Sequence, residues 1–180
     1  MNIKDLALEG CQLISLPHSI DERGHFVKTF NKELFANTEL YEFDLQEEFY
    51  TISKKNVLRG LHFQNNPAAH SKVVSCIDGK VLDFCLDLRA SSPSYKKHIS
   101  MELDSETPQL LFLPKGIAHG FLTISKSATL LYKTDSVYSP ENDSGILWSS
   151  IGLTLPNDDF IVSERDKAFI SLSEFESDFI

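Results

Sequence analysis

What the 180-residue sequence has little of narrows its class before any motif is read. Its three cysteines, Cys11, Cys76 and Cys85, are an odd number at unrelated spacings, which excludes a disulfide scaffold and fits a reducing compartment. Eight glycines and seven prolines, without a period, exclude a collagen-like fibre. Basic residues are short too: 17 Lys and Arg stand against 26 Asp and Glu, a formal charge of -9. Such a chain repels phosphate polymers as a whole, so no nucleic-acid partner is expected, and a small anion needs a local cluster of Arg and Lys. No run of about 18 apolar residues occurs. The opening MNIKDLALEG carries no apolar stretch behind a basic start. No membrane partner is expected, and the chain is read as cytoplasmic.

What is present is the composition of a globular protein, 42% hydrophobic and 24% charged, long enough for one sizeable core. Without repeats or linkers, residues 1–180 read as one domain, with a tail from about residue 157 that holds short helical segments. Strand signals are dense. Residues 80–88 alternate Leu82, Phe84, Leu86 and Leu88 with Val81, Asp83, Cys85 and Asp87 between turn residues, which predicts a half-buried strand. Short apolar runs at 110–114, 121–124 and 128–133 follow, separated by Gly, Lys and Ser. Helical signal is thin: a turn or two at 31–37 with Leu34 and Phe35 inward, and another at 163–170, where Ser163 and Asp166 have capping-box spacing. The pattern predicts an all-β antiparallel sandwich or barrel with a few short peripheral helices.

Two clusters carry chemistry. In Arg59-Gly60-Leu61-His62-Phe63-Gln64, strand alternation points Leu61 and Phe63 to one face and Gly60, His62 and Gln64 to the other. His62 suits a general base because its ordinary pKa lies near neutrality, although a lone histidine is more often structural. Arg59 offers a fork to phosphate if the start of the strand turns it inward. In residues 114–121, Pro114, Gly116 and Gly120 shape a turn that delivers His119 at the start of a strand. This P-x-G-x-x-H pattern resembles the second motif of the cupin barrels. Metal-dependent cupins need H-x-H and a carboxylate in their first motif, and Gln64 stands where the second His would be, so no metal is expected. Tyr132 and Tyr138 read, taken alone, as core or rim aromatics. Residues 21–26 read as the charged turn of a solvated hairpin.

In their order along the chain, residues 21–26, 59–64, Lys72, 79–89, 114–121, 132–140, 145–148 and 163–166 resemble the dTDP-4-dehydrorhamnose 3,5-epimerase family over nearly the whole sequence. The resemblance implies a cupin-type jelly-roll β-sandwich, a homodimer with exchanged N-terminal strands, and neither metal nor organic cofactor. It implies an isomerase that inverts C3, C5 or both in a nucleotide-diphospho-4-keto sugar, hexose or heptose, for surface-polysaccharide precursors. His62 is then the base, Asp166 the carboxylate that orients it, and Tyr132 the acid on the opposite face. Lys72 stabilises the enolate oxygen, and Arg23 and Arg59 neutralise the diphosphate. His119 and Gln64 fall among the substrate contacts. Tyr138 stacks on the nucleobase, Phe26 adds a second wall from the exchanged strand, and Asp143 and Arg165 lie near the substrate.

Among the departures from the family pattern, Lys28, Glu47 and Phe49 stand where it has an acid and two amides, while Ser149, Ser150 and Leu155 read as packing changes. The first three are expected to contact the nucleotide and to move preference from thymine toward guanine or cytosine, with Glu47 accepting from the guanine edge. Two other readings stand beside the epimerase: a 3,4-ketoisomerase or single-position epimerase on the same scaffold, and a non-catalytic sugar-nucleotide-binding cupin. Tyr132 favours net inversion, which needs a donor opposite His62, and binding alone requires neither acid nor base.

Overall fold

The computed structural model describes residues 2–36 and 38–179. Asn37, and the side chain of Leu34 that the pattern turned inward, lie outside the described residues; Phe35 is buried as expected. In chain order the strands are β1 (Ile3–Asp5), β2 (Gln12–Ser15), β3 (His18–Asp21), β4 (Gly24–Val27), β5 (Glu47–Lys54), β6 (Leu58–Gln64) and β7 (Lys72–Asp78). They continue with β8 (Lys80–Asp87), β9 (His98–Asp104), β10 (Gln109–Leu113), β11 (Ile117–Thr123), β12 (Ser127–Thr134) and β13 (Asp143–Gly145). Three short 3₁₀ turns and one four-residue helix, α1 (Glu164–Lys167), are peripheral, and among the described residues no helix is long and apolar enough to cross a membrane.

Two antiparallel sheets make a cupin sandwich: a six-stranded one ordered β1-β2-β10-β7-β12-β5 and a five-stranded one ordered β13-β6-β11-β8-β9. Between them lies a core that includes Val74, Leu111 and Leu130 from the first sheet and Val81, Cys85 and Phe121 from the second. The half-buried reading of β8 is corrected by what covers its outer side. Phe175 and Phe179, together with Ile151 ahead of the tail, cluster with Phe84, Leu86 and Leu122, so the stretch read as a tail adds a layer to the five-stranded sheet. Burying each such side chain contributes roughly 1.5–3 kcal/mol. On the inner side Asp83 and Asp87 are fully buried, Asp83 with His119 and Asp87 with Arg89, Ser92 and Ser94.

One irregularity positions the chemistry. Across β6 and β11, Arg59 pairs with Phe121 and His62 with His119, so Gly60 and Leu61 together oppose Gly120 alone. This bulge resets the alternation. Arg59, which strict alternation sets opposite His62, joins it on the inner side. Such close approach requires glycine on both strands: a Cβ at Gly60, where φ is +109°, would meet the Gly120 Cα at 2.6 Å, and one at Gly120 would meet the Arg59 carbonyl at 2.7 Å. Gly120→Ala is therefore expected to destabilise by about 2–3 kcal/mol, lowering Tm by about 4–12 °C. An unchanged melting curve would show that the strands can part at no cost.

The hairpin of β3 and β4 stands apart from both sheets, its turn closed by an Arg23–Asp21 ion pair at 2.6 Å. It is exposed along nearly its whole length, Ile20 and Phe26 by more than half, at 61% and 63%.

Candidate active site

A cavity of about 360 Å³ opens between the sheets. Glu47, Phe49 and Thr51 of β5, Lys72 of β7 and Tyr132 of β12 form one wall; Arg59, His62 and Gln64 of β6 and His119 of β11 form the other. Tyr138, Asp143 and Arg165 close its rim.

On the five-stranded side, His62 Nε2 lies 3.0 Å from Asp166 Oδ2, though the N–H direction is not that of a formed hydrogen bond. Asp166 is held in place by two hydrogen bonds, with the Arg165 Nε 3.8 Å from its Oδ1. Its backbone N–H donates to Ser163 Oγ, capping α1 as the spacing predicted, and its Oδ2 accepts the Gly60 N–H at 2.8 Å. Burial pushes the Asp166 carboxyl up, but the opposing pull of His62, Gly60 and Ser163 wins and leaves its pKa at about 2. Burial also lowers the pKa of His62, aided by Lys72 and Arg165 and opposed by Asp166. At neutral pH the ring is the neutral, proton-accepting form, and with Nε2 turned to Asp166 its Nδ1 is left for a substrate.

The depressed Asp166 pKa has a thermodynamic consequence. A folded pKa of about 2 below the unfolded value of about 4 stabilises the fold fully above pH 4, and this contribution fades as pH falls toward 2. Asp166→Asn is expected to flatten that part of the acid limb, measured as urea midpoints at pH 5 and pH 2.5. Parallel pH dependence in variant and wild type would remove Asp166 from the acid transition.

On the six-stranded side, Tyr132 is buried, with its ring stacked on Phe49 at 4.8 Å and edge-on to His119 at 5.9 Å. Burial, then the negative charge of Asp83, raises its phenol well above the ordinary tyrosine range, so it keeps its proton at any physiological pH. His119 is itself fixed by Asp83, Nε2 to Oδ2 at 2.7 Å, both side chains being buried. Sequence reasoning missed Asp83. The available signal was an acid on the same strand face as Val81 and Cys85, where an unpaired carboxylate would be costly. Lys72 is buried and donates to the His62 carbonyl at 2.7 Å; burial lowers its pKa to about 8, which leaves it cationic at neutral pH with two further protons to offer.

The expected substrate contacts divide. Arg59 spends its Nε on Ser53 Oγ at 3.0 Å and lines the cavity. Arg165 is forked onto Asp143 at 3.1 and 3.3 Å, so the two rim charges largely satisfy each other. Tyr138 presents a half-exposed ring, and its backbone N–H binds Glu47 Oε2 at 2.8 Å. That bond occupies one of the acceptor sites of the Glu47 carboxylate. Phe49 stacks on Tyr132, lines the cavity and is itself partly exposed. Gln64 needs the clearest correction: Oε1 takes the Ser139 N–H and Nε2 meets Ala68, His70 and Val137, so its amide is committed to the protein. Arg23, Phe26 and Lys28 do not line the cavity of their own chain. Among the described residues no group of three or more His, Cys, Asp and Glu is placed to hold a metal ion.

Comparison with known proteins agrees with this geometry. Residues 5–174 match the sequence model of dTDP-4-dehydrorhamnose 3,5-epimerase. The dTDP-4-dehydrorhamnose 3,5-epimerase of Escherichia coli K12 is 39% identical over 157 residues, covering 86% of this chain and 85% of its own. NovW, a 4-keto-6-deoxy sugar epimerase from the novobiocin gene cluster of Streptomyces spheroides, superposes with a TM-score of 0.92 at 31% identity, over 97% of this chain and 88% of its own. A Legionella pneumophila 3,5-epimerase in complex with dTDP-4-keto-L-rhamnose gives 0.91 at 28% identity, over 97% of this chain and 94% of its own.

Proposed function

This chain belongs to the dTDP-4-dehydrorhamnose 3,5-epimerase family, and from that premise we propose that it inverts C3 and C5 of a dTDP-linked 4-keto-6-deoxy sugar. The observation that carries the reading is the division of labour between the sheets. A neutral imidazole stands on β6, and a phenol that retains its proton stands on β12 across the cavity.

The C–H bonds beside the C4 ketone are the acidic ones. His62 Nδ1 takes a proton, the electron pair moves into the carbonyl, and Lys72 stabilises the oxygen that becomes negative. Tyr132 returns a proton to the opposite face, so configuration inverts while the ketone reforms. The phenolate regains its proton from solvent as His62 loses one. Arg59 supplies positive charge for the diphosphate, which the net charge of -9 otherwise repels. The Glu47 carboxylate can accept the single N3–H of a thymine, and the Tyr138 ring offers a stacking face.

The working unit is a homodimer in which the β3–β4 hairpin of one copy reaches the cavity of the other. Supporting this are the hairpin's separation from its own sheets and the exposed Tyr50 and Ile52 on β5. The exchange would carry Arg23, Phe26 and Lys28 to a substrate. Three buried free thiols support a cytoplasmic setting.

The test is incubation with dTDP-4-keto-6-deoxyglucose in deuterated water, followed by NMR. Deuterium at C3 and C5 with formation of the L-rhamno ketone is expected. Exchange at neither carbon would sink the epimerase reading, and competition by GDP stronger than by dTDP would overturn the thymidine assignment.

A further inference from the structure

Besides His119, a further imidazole on the cavity wall has no part in this scheme. His70 lies two residues before β7, beside Lys72, and lines the cavity. Its Nδ1 is 2.9 Å from Gln64 Nε2. The far end of Gln64 decides which atom donates. The atom that takes the Ser139 N–H at 2.6 Å must be the amide oxygen, which puts the NH₂ group beside His70, where it also meets the Ala68 carbonyl at 2.8 Å and the Val137 carbonyl at 3.3 Å. An amide nitrogen has only protons to give, so His70 Nδ1 accepts and the ring proton resides on Nε2. The other contact of the ring is with the Ala68 backbone, and His70 lines the cavity.

The Gln64 contact disfavours the imidazolium, since a proton on Nδ1 would confront the Gln64 N–H. Burial and the neighbouring Lys72 cation act in the same direction and outweigh the Ala68 backbone hydrogen bond, lowering the His70 pKa to about 3. A phosphate partner would call for the cationic ring. A locked neutral N–H suits an uncharged acceptor instead, such as a hydroxyl or ring oxygen.

We propose that His70, held by Gln64 as the neutral Nε2–H tautomer, is a specificity-determining donor to an uncharged oxygen of the sugar. This rests on the sugar-nucleotide reading above. Gln64 also grips the loop that carries Tyr138, through Ser139 and Val137, so one buried amide sets both the sugar donor and the aromatic ring at the rim.

Three variants separate donor from clamp. His70→Asn can place its Oδ1 where Nδ1 was, preserving the acceptor for Gln64, but has nothing at the Nε2 position. His70→Gln reaches that position with an amide N–H, and His70→Leu removes both functions. Calorimetry with dTDP and with unreactive dTDP-glucose reads the result. Asn and Leu are expected to weaken dTDP-glucose by about 3- to 10-fold while dTDP stays within about twofold, and Gln is expected to restore the sugar affinity. In wild type, histidine ¹⁵N spectra assigned against His70→Gln should show the His70 proton on Nε2.

Wild-type affinity of His70→Asn for dTDP-glucose would make His70 only a clamp. An equal loss for dTDP would move the contact to phosphate, and a proton on Nδ1 would break the lock; each result overturns the proposal. Wild-type protein that binds neither ligand would instead overturn the sugar-nucleotide reading, and this one with it.

Discussion

His62→Asn is expected to lower kcat about 10³-fold or more, equivalent to roughly 4 kcal/mol of barrier, and to stop deuterium exchange at both C3 and C5. Both carbons flank the same ketone, and the cavity offers His62 as the neutral imidazole facing it with a carboxylate behind. Asn retains polarity and approximate size but accepts no proton at neutral pH. Affinity for dTDP should change little, because Arg59 and Tyr138 are untouched. Exchange at either carbon near the wild-type rate would assign the base to another residue, with His119 the first to examine. His119 is a weaker candidate on geometry, since its Nε2 is already committed to Asp83 and its side chain is 4% exposed.

Tyr132→Phe should separate two events that His62→Asn removes together. Net inversion is expected to fall about 10²-fold, while deuterium wash-in at the carbon His62 reaches falls by less than tenfold, because the base can return a solvent-derived proton to the face it came from. Phe preserves the stack on Phe49 and the edge contact with His119, so loss of the fold would not account for the result. Inversion at an undiminished rate would reduce Tyr132 to a packing aromatic.

The parts of this site that depend on neighbours in sequence were legible from it. Ser163 and Asp166 show the cap of α1 by spacing, and the turns around residues 79 and 116 bound β8 and β11 where the Gly residues stand. What depends on pairing across the sheets was not. The phase of Arg59 turns on Gly60 and Leu61 lying opposite a single residue of β11, which nothing local to β6 announces. Gln64 fits the alternation of a cavity-facing residue and does face that way, yet its amide is consumed by loops near residues 68 and 138. Asp83 was seen on its strand without its partner, 36 positions further on. The family resemblance supplied roles for His62, Tyr132 and Lys72 that period and composition alone do not distinguish from core residues.

The span between Gly60 and Asp166, 106 positions apart and joined by one hydrogen bond, bears on when activity arises during synthesis. A nascent chain interrupted between Gly145 and Ser163 already contains both sheets' cavity-facing strands and the imidazole on β6, but not the carboxylate that orients it. Contacts this distant in sequence close late and slowly. A ribosome-bound intermediate should therefore bind the nucleotide before it can turn over the sugar, which makes turnover a reporter of the final docking event.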